Sequence, residues 1–146
     1  MICVDFIGRF PQQSRLEDFA SDVINHFFPR DLKRKVYVGI EISKNLEDND
    51  AGTCVDYGVE NGTRMIQVNL SRRYIDEDEN FAYSVKEIAT TLAHELVHVK
   101  QNLKGELNNK LLSATLKENM TSDYYSRMPW EAEAFDLQDY LVDLYW

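Results

Sequence analysis

Cysteine, proline and glycine are scarce in this chain, which contains two, three and six of them among 146 residues. Its cysteines, Cys3 and Cys54, do not form a Cys-x-x-Cys pair, so a cysteine-rich zinc site is excluded. Two free buried thiols are favoured over a Cys3–Cys54 disulfide. Because the chain has neither a Pro/Gly-rich linker nor an internal repeat, we expect one domain over residues 1–146.

Basic residues are outnumbered by acidic ones, and the net charge is −9. A charge of that sign argues against a phosphate-binding surface, so we expect no direct contact with nucleic acid. Two local groups of basic residues are interpreted as the solvated ends of a strand and a loop; they consist of Arg30, Lys33, Arg34 and Lys35, and of Arg72 and Arg73.

Long apolar runs are missing as well, and none approaches the ~20 residues that cross a bilayer. The first ten residues, MICVDFIGRF, contain Asp5 and Arg9 and lack both a basic leader and a cleavage site. They are typical of a first strand and not of a signal peptide. We therefore expect a cytoplasmic protein that has no membrane partner and is monomeric by default.

The first half of the chain carries one helix pattern and one strand pattern. Ser14 and Glu17 match a capping box, and apolar residues follow at helical spacing as far as Phe27. Residues 35–43 alternate between apolar and other side chains, which predicts a half-buried strand. The apolar face of that strand consists of Val36, Val38, Ile40 and Ile42.

A β-hairpin is predicted next, because Asn61-Gly62 is a strong signal for a tight turn. A two-residue turn at this point pairs Tyr57 with Ile66 and Val55 with Val68. All four side chains would then lie on one face of the sheet.

The second half of the chain predicts a long amphipathic helix. Ser84 and Glu87 form another capping box, and apolar residues recur at helical spacing up to Gly105, a natural helix stop. The polar stretch after it favours one short helix over 111–118. Pro129 then suits the first position of a last helix that runs to the end of the chain.

Together these patterns predict an α+β domain. It would contain an N-terminal helix, a small and mainly antiparallel sheet of three or four strands, the long helix and the last helix.

The sequence His94-Glu95-Leu96-Val97-His98 within the long helix is the main indication of chemistry. Two histidines four residues apart share one face of a helix and can bind one zinc ion. Glu95 is rotated by about 100° from His94 and would act as the general base for the attacking water. This HExxH pattern therefore predicts a zinc site and a hydrolytic reaction.

Catalytic zinc needs a third protein ligand, and histidine does not supply an obvious one. The chain has only three histidines, and His26 lies far upstream on the first helix. The extended motif HExxHxxGxxH is excluded, because Gln101 and Lys104 occupy the positions of its glycine and third histidine. The third ligand is therefore expected to be a carboxylate.

Two glutamates at the start of the last helix, Glu131 and Glu133, are the candidates. An acid near a helix N-terminus also has a purely structural explanation, since the helix dipole favours it there. Periodicity does not choose between the two, because they flank the apolar side of the helix at about 160° from each other.

With HExxH on one helix and a Glu-x-x-Ala sequence at Glu131 and Ala134 on a later helix, the chain resembles the gluzincin metallopeptidases. It is most similar to their minimal single-domain members, called minigluzincins, and to short phage or prophage proteins with a Pro-Trp-Glu-x-Glu-Ala segment. The resemblance implies a zincin-like fold with Zn²⁺ on His94, His98 and Glu131. The small Ala134, one turn after Glu131, would also let the two helices approach closely.

The chain departs from related proteins at two points, and the resemblance adds one further candidate residue. Phe135 stands where larger relatives have an aspartate, which removes the usual support of one histidine. SprT-like proteases, which act near DNA, use a histidine as third ligand and are therefore less similar. Tyr125, preferred over Tyr124 for its offset from Pro129, is the candidate donor to the oxyanion of the intermediate.

The resulting hypothesis is a small zinc peptidase that cleaves a peptide or protein substrate with Glu95 as general base. Strand 63–70 is expected to form the sheet edge beside the cleft, where an extended substrate can add as a strand. Two alternatives stay open at this point: a zinc-stabilised binding or regulatory protein that cuts nothing, and a protease directed at nucleic-acid-associated proteins.

Overall fold

A computed structural model describes residues 1–107 and 128–146. Within these residues the chain is an α+β protein with three α-helices, a mixed four-stranded sheet and a two-stranded antiparallel sheet. In chain order the elements are β1 (Ile2–Ile7), α1 (Gln13–Phe27), β2 (Lys35–Ser43), β3 (Gly52–Glu60), β4 (Thr63–Ser71), β5 (Arg73–Asp76), β6 (Glu79–Ala82), α2 (Val85–Leu103) and α3 (Pro129–Tyr145).

The strand order of the larger sheet is β1-β2-β4-β3. β1, β2 and β4 run parallel, and only β3 is antiparallel to its neighbour. The prediction of a mainly antiparallel sheet is therefore wrong. A parallel pair needs a crossover connection, and α1 provides it between β1 and β2. The prediction that strand 63–70 is the sheet edge is also wrong, since β4 pairs on both sides and β3 is the edge.

The hairpin turn is where the sequence predicts it, but the register of the hairpin is not. Glu60 pairs with Thr63 around a two-residue turn, and a β-bulge then interrupts the pairing between Asp56 and Gly58. Gly58 has a φ of 80°, and its N–H donates to Asp56 Oδ1 at 2.9 Å. The extra residue, Tyr57, is 70% exposed. On the side of the bulge away from the turn, in residues 52–56, each side chain of β3 lies on the face opposite to the predicted one.

The new register changes which side chains meet. Ile66 pairs with Asp56, and Val68 pairs with Cys54, so the predicted pairs Tyr57–Ile66 and Val55–Val68 do not form. Cys3 and Cys54 are both free thiols, as predicted, because they lie on the two edge strands β1 and β3. Cys3 is exposed, however, and Cys54 is half-buried, so the expectation of two buried thiols is wrong for Cys3 and holds only in part for Cys54.

The three helices have the predicted places, with one error at a cap. α1 begins at Gln13 after Gln12, which has a φ of 47° and no side-chain cap, so Ser14 is inside the helix and the capping box with Glu17 is absent. At α2 the capping box is present, and α3 begins with Pro129 in its first turn. In the described residues, no helix combines the length and apolar composition needed to cross a membrane.

One face of the four-stranded sheet packs against the helices and forms the hydrophobic core. Alternate residues of β2, the predicted set from Val36 to Ile42, point into this core together with Ile66 and Val68 of β4. α1 contributes Leu16 and Phe19 to the same cluster. α2 packs on both α1 and α3 and also on β3 and β4. This packing places the middle of α2 between the last helix and the edge strand.

Candidate metal centre

Two histidines of α2 form the first half of the site. The helix is fixed at its start by a reciprocal pair of bonds: Ser84 Oγ accepts from the Glu87 N–H, and the Ser84 N–H donates to Glu87 Oε1, each at 3.1 Å. Further along α2, His94 and His98 project from one face, and their ring centroids are 4.9 Å apart. The spacing of the motif therefore brings the two imidazoles together.

Glu131 on the first turn of α3 completes the group. Its Oε1 lies 2.7 Å from Nε2 of His98, and its Oε2 lies 3.2 Å from Nε2 of His94. The ligand atoms of the three residues all lie within 4.8 Å of one another. Glu131 itself is only 5% exposed. Two imidazole nitrogens and one carboxylate that converge in this way match the donor set of a divalent transition metal ion.

The outer nitrogen of each imidazole is bound to a glutamine that the sequence analysis did not single out for this role. His94 Nδ1 lies 2.9 Å from Oε1 of Gln138 on α3, and His98 Nδ1 lies 2.8 Å from Oε1 of Gln101. Oε1 is an acceptor, so each Nδ1 carries a proton, and Nε2 is the atom of each imidazole that can bind a cation once it has lost its own proton. Gln138 thus provides the support that Phe135 cannot.

The orientation of Gln101 is fixed by its own neighbours. Its Nε2 donates to the carbonyl oxygen of Trp130 at 2.8 Å and to Oε1 of Glu133 at 3.0 Å, and both partners are acceptors only. Oε1 must then face His98. The buried amide of Gln101 therefore links α2 to the start of α3 and sets the tautomer of His98.

Glu133 does not reach the histidines. Its Oε1 accepts from Lys100 Nζ at 2.7 Å as well as from Gln101. Burial would raise the pKa of Glu133, but the bonds to Lys100 and Gln101 outweigh this effect and lower it. The structure therefore brings Glu131, and not Glu133, to His94 and His98, and it gives Glu133 a supporting contact to Gln101.

The charges of the three grouped side chains are coupled. Burial would raise the pKa of Glu131, but His94 and His98 outweigh this effect and lower it to about 2. Burial lowers the pKa of both histidines, whereas Glu131 and Glu95 raise it, with a net shift above the ordinary value. Contact with Glu131 thus favours the protonated form of each imidazole. A divalent cation at the same point must displace these protons, so its binding is expected to release them.

Glu95 follows His94 on α2 and lies against the first residue of β3. A Cβ atom added to Gly52 would be 3.1 Å from both Cγ and Oε1 of Glu95 and 2.7 Å from Cγ2 of Thr91. Burial is the largest cause that raises the pKa of Glu95 to about 7. A carboxyl group with a pKa near neutrality can both accept a proton and return it, as a general base must.

A cleft of about 380 Å³ opens beside these side chains. It lies between the start of β3, one face of α2 and one face of α3, and its lining includes Gly52, Thr91, His94, Glu95, Phe135 and Gln138. The Phe135 ring packs edge-on against His94, with centroids 4.7 Å apart. A ligand in this cleft therefore contacts both a metal-binding candidate and the candidate base.

The remaining predicted site residues are not part of this group. His26 Nδ1 lies 2.8 Å from the hydroxyl of Tyr145, where α1 meets the end of α3. Tyr124 and Tyr125, like the short helix predicted over 111–118, lie outside the described residues. The role predicted for Tyr125 therefore stays a prediction.

The two glutamates of α3 can be compared directly by metal affinity. Glu131→Gln should weaken zinc binding by tenfold or more, on the order of 1.4 kcal/mol, because it replaces the carboxylate that faces both histidines. Glu133→Gln is the matched control, with the same change two residues away, and should have a much smaller effect through Gln101. Competition with a chromophoric chelator measures both, and the opposite ranking would reassign the third ligand.

Gly52 provides a test of the close approach between β3 and α2. Gly52→Ala should lower the free energy of unfolding by about 1–3 kcal/mol, because the new methyl group overlaps Thr91. Denaturant unfolding measures this change. In a Thr91→Ala background the same substitution should cost clearly less. An equal cost in both backgrounds would show that the contact with Thr91 is not its cause.

Comparison of the chain with models of protein families, with curated proteins and with solved structures gives no match.

Proposed function

We propose that this protein is a zinc-dependent peptidase in which His94, His98 and Glu131 bind the metal ion and Glu95 is the general base. The observation that carries the proposal is the convergence of these three donors beside a buried glutamate at the wall of an open cleft. The resemblance to gluzincins and a zincin-like fold are part of the same proposal.

The donor set supports zinc over the harder cations. Ca²⁺ and Mg²⁺ prefer oxygen ligands only, whereas two histidines and one carboxylate are a common set for catalytic zinc, with the fourth position open. The hydrogen bonds from Nδ1 to Gln101 and Gln138 orient both imidazoles for that role. When bound, zinc would supply a water of lowered pKa and polarise the carbonyl of the substrate.

The chain's own residues would then handle the proton and the substrate. Glu95 accepts the proton of the attacking water and returns it to the leaving amine, a cycle suited to a pKa of about 7. The buried position of Glu95 keeps its carboxyl group from being solvated as freely as a surface group. Tyr125 is our candidate for the donor that stabilises the oxyanion.

The edge strand favours a peptide as substrate. Among residues 1–107 and 128–146, β3 pairs with β4 alone and is an edge strand of the sheet, and its first residue, Gly52, lines the cleft. An extended peptide can add to such an edge through backbone hydrogen bonds and so hold one of its amides near the candidate centre. This role, predicted for strand 63–70, therefore passes to residues 52–60.

The proposal is tested with a mixture of peptides of diverse sequence and the zinc-loaded protein. Mass spectrometry should detect new peptide termini, and a zinc chelator should suppress them until zinc is restored. If no peptide is cleaved during a long incubation with the zinc-loaded protein, the alternative of a zinc-stabilised binding protein is favoured.

A further inference from the structure

A group of basic residues lies at the carboxyl ends of the parallel strands of the larger sheet. The carboxyl ends of β1, β2 and β4 meet there, because these strands are parallel. A cation follows each of them: Arg9 comes two residues after β1, Lys44 directly after β2 and Arg72 directly after β4. The backbone N–H of Arg72 donates to the Ser43 carbonyl at 2.8 Å and so holds two of these ends together. The carboxyl edge of parallel strands is where open α/β sheets commonly bind ligands.

These cations surround a second cavity, of about 500 Å³, which we call the basic cavity. Its described lining consists of Arg9, Phe10, Pro11, Lys44, Arg72, Arg73, Ala82, Tyr83 and Ile88. Four of these nine residues are cationic and none is acidic, in a chain whose net charge is −9. Such a concentration of one charge against the overall sign marks a place where an anion is attracted.

The charges of the basic cavity are not neutralised within the part of the chain that the structure describes. There, Arg9, Lys44 and Arg72 are exposed and form no salt bridge. Arg73 donates through one terminal nitrogen to the Asn80 carbonyl at 2.8 Å, but its buried Nε has no hydrogen-bond partner. An unsatisfied donor of this kind costs free energy unless a ligand or water accepts from it.

The basic cavity adjoins the cleft of the candidate metal centre. Tyr83 lines both, and Ile88 of the basic cavity precedes His94 of the cleft by six residues of α2. Six helical residues span about 9 Å, at ~1.5 Å each. An extended peptide covers that distance in about three residues, at ~3.3 Å each.

We infer that the basic cavity binds a carboxylate side chain of a peptide that lies in the metal-side cleft. The inference rests on the proposed function, and it places the acidic residue about three positions from the bond to be cleaved. Carboxylates form short, charge-assisted and often bidentate bonds with arginine, which three of the four cations can supply. A long polyanion such as nucleic acid is disfavoured, because the rest of this acidic chain repels it.

Peptide binding tests the inference without any need for cleavage. The probes are short fluorescent peptides in which one glutamate moves position by position along an uncharged sequence, with glutamine in a matched series. Fluorescence anisotropy is measured with the full zinc-loaded chain carrying Glu95→Gln. At one or two adjacent positions, glutamate should strengthen binding by about tenfold over glutamine, as several charge-assisted bonds would.

A charge-matched pair of variants then locates the effect. Arg9→Gln, Lys44→Gln and Arg72→Gln together should reduce the preference for glutamate to less than about twofold while peptides with glutamine bind as before. The control combines Arg30→Gln, Lys33→Gln and Lys35→Gln, which removes the same three charges from exposed positions elsewhere, and it should keep the preference. Circular dichroism checks that both triple variants are folded.

Competitors separate the possible sources of the anion. Inorganic phosphate should displace the glutamate-dependent part of the binding only at high concentration. Tighter binding of phosphate or of a single-stranded oligonucleotide than of every peptide would overturn the inference, if that binding depended on Arg9, Lys44 and Arg72. So would equal binding of the glutamate and glutamine series, or no peptide binding. A glutamate preference without cleavage by the parent protein would contradict the proposed catalysis alone.

Discussion

Replacement of either His94 or His98 by alanine should abolish stoichiometric zinc binding, which in the parent protein should approach one ion per chain. The two Nε2 atoms face the same carboxylate, and neither imidazole has a neighbour among the described residues that would take its place. Two remaining ligands rarely retain zinc against dilution, since a catalytic site uses three protein ligands. Elemental analysis after gel filtration measures the metal content.

His26→Ala is the matched control for this experiment, because it removes a histidine without touching the group. His26 is bound to Tyr145 at 2.8 Å on another part of α3, so zinc content should stay at the parental value. Full zinc content in a chain that lacks both His94 and His98 would contradict the assignment of the centre.

Local patterns predicted the elements that carry this site. The bounds of β2 and the capping box of α2 follow from alternation and from two side chains three residues apart, and α3 begins at the proline that suits a first turn. The motif spacing then fixes which face of α2 carries His94 and His98. These features depend on neighbours along the chain, which a sequence displays directly.

Apart from the absent capping box of α1, the largest error concerns relations between elements that are distant in sequence. Alternation tells which face of a strand is buried but not in which direction the neighbouring strand runs, so the parallel pairs β1–β2 and β2–β4 were not predicted. The prediction of the hairpin register is wrong for another reason. A single bulged residue, Tyr57, reverses the faces beyond it, and its only signal in the sequence is Gly58, which tolerates a positive φ.

The supporting residues of the site were missed because their partners come from packing. Gln138 lies seven residues after Glu131, two turns along the same face of α3, which is the one spacing that suggests a shared role. Gln101 lies three residues after His98, but its link to Trp130 and Glu133 exists only when α2 and α3 are in contact. No periodicity in the sequence shows that Gly52 must leave room for Glu95.

Glu95→Gln should leave zinc binding and the fold intact while it lowers peptide hydrolysis by at least about a hundredfold. The amide has nearly the shape of the carboxyl group, so the contact with Gly52 and the packing of β3 against α2 can persist. It cannot accept the proton of the attacking water, however, and this transfer is the step assigned to Glu95. Rates on a peptide from the cleavage screen, with zinc content measured on the same sample, provide the test.

The control for the loss of a negative charge is Glu87→Gln. Glu87 lies two turns earlier on the same helix and also at the wall of the cleft. Glutamine can replace glutamate in a capping box, so this substitution removes one negative charge from the cleft without disturbing the start of α2. Its hydrolysis rate should stay within a few fold of the parent rate, since Glu87 lies about 12 Å along the helix from Glu95 at ~1.5 Å per residue. Equal losses in the two variants would indicate that the charge of the cleft, and not proton transfer by Glu95, controls the rate. Parental activity in Glu95→Gln would exclude Glu95 as the base while leaving the three proposed ligands in place.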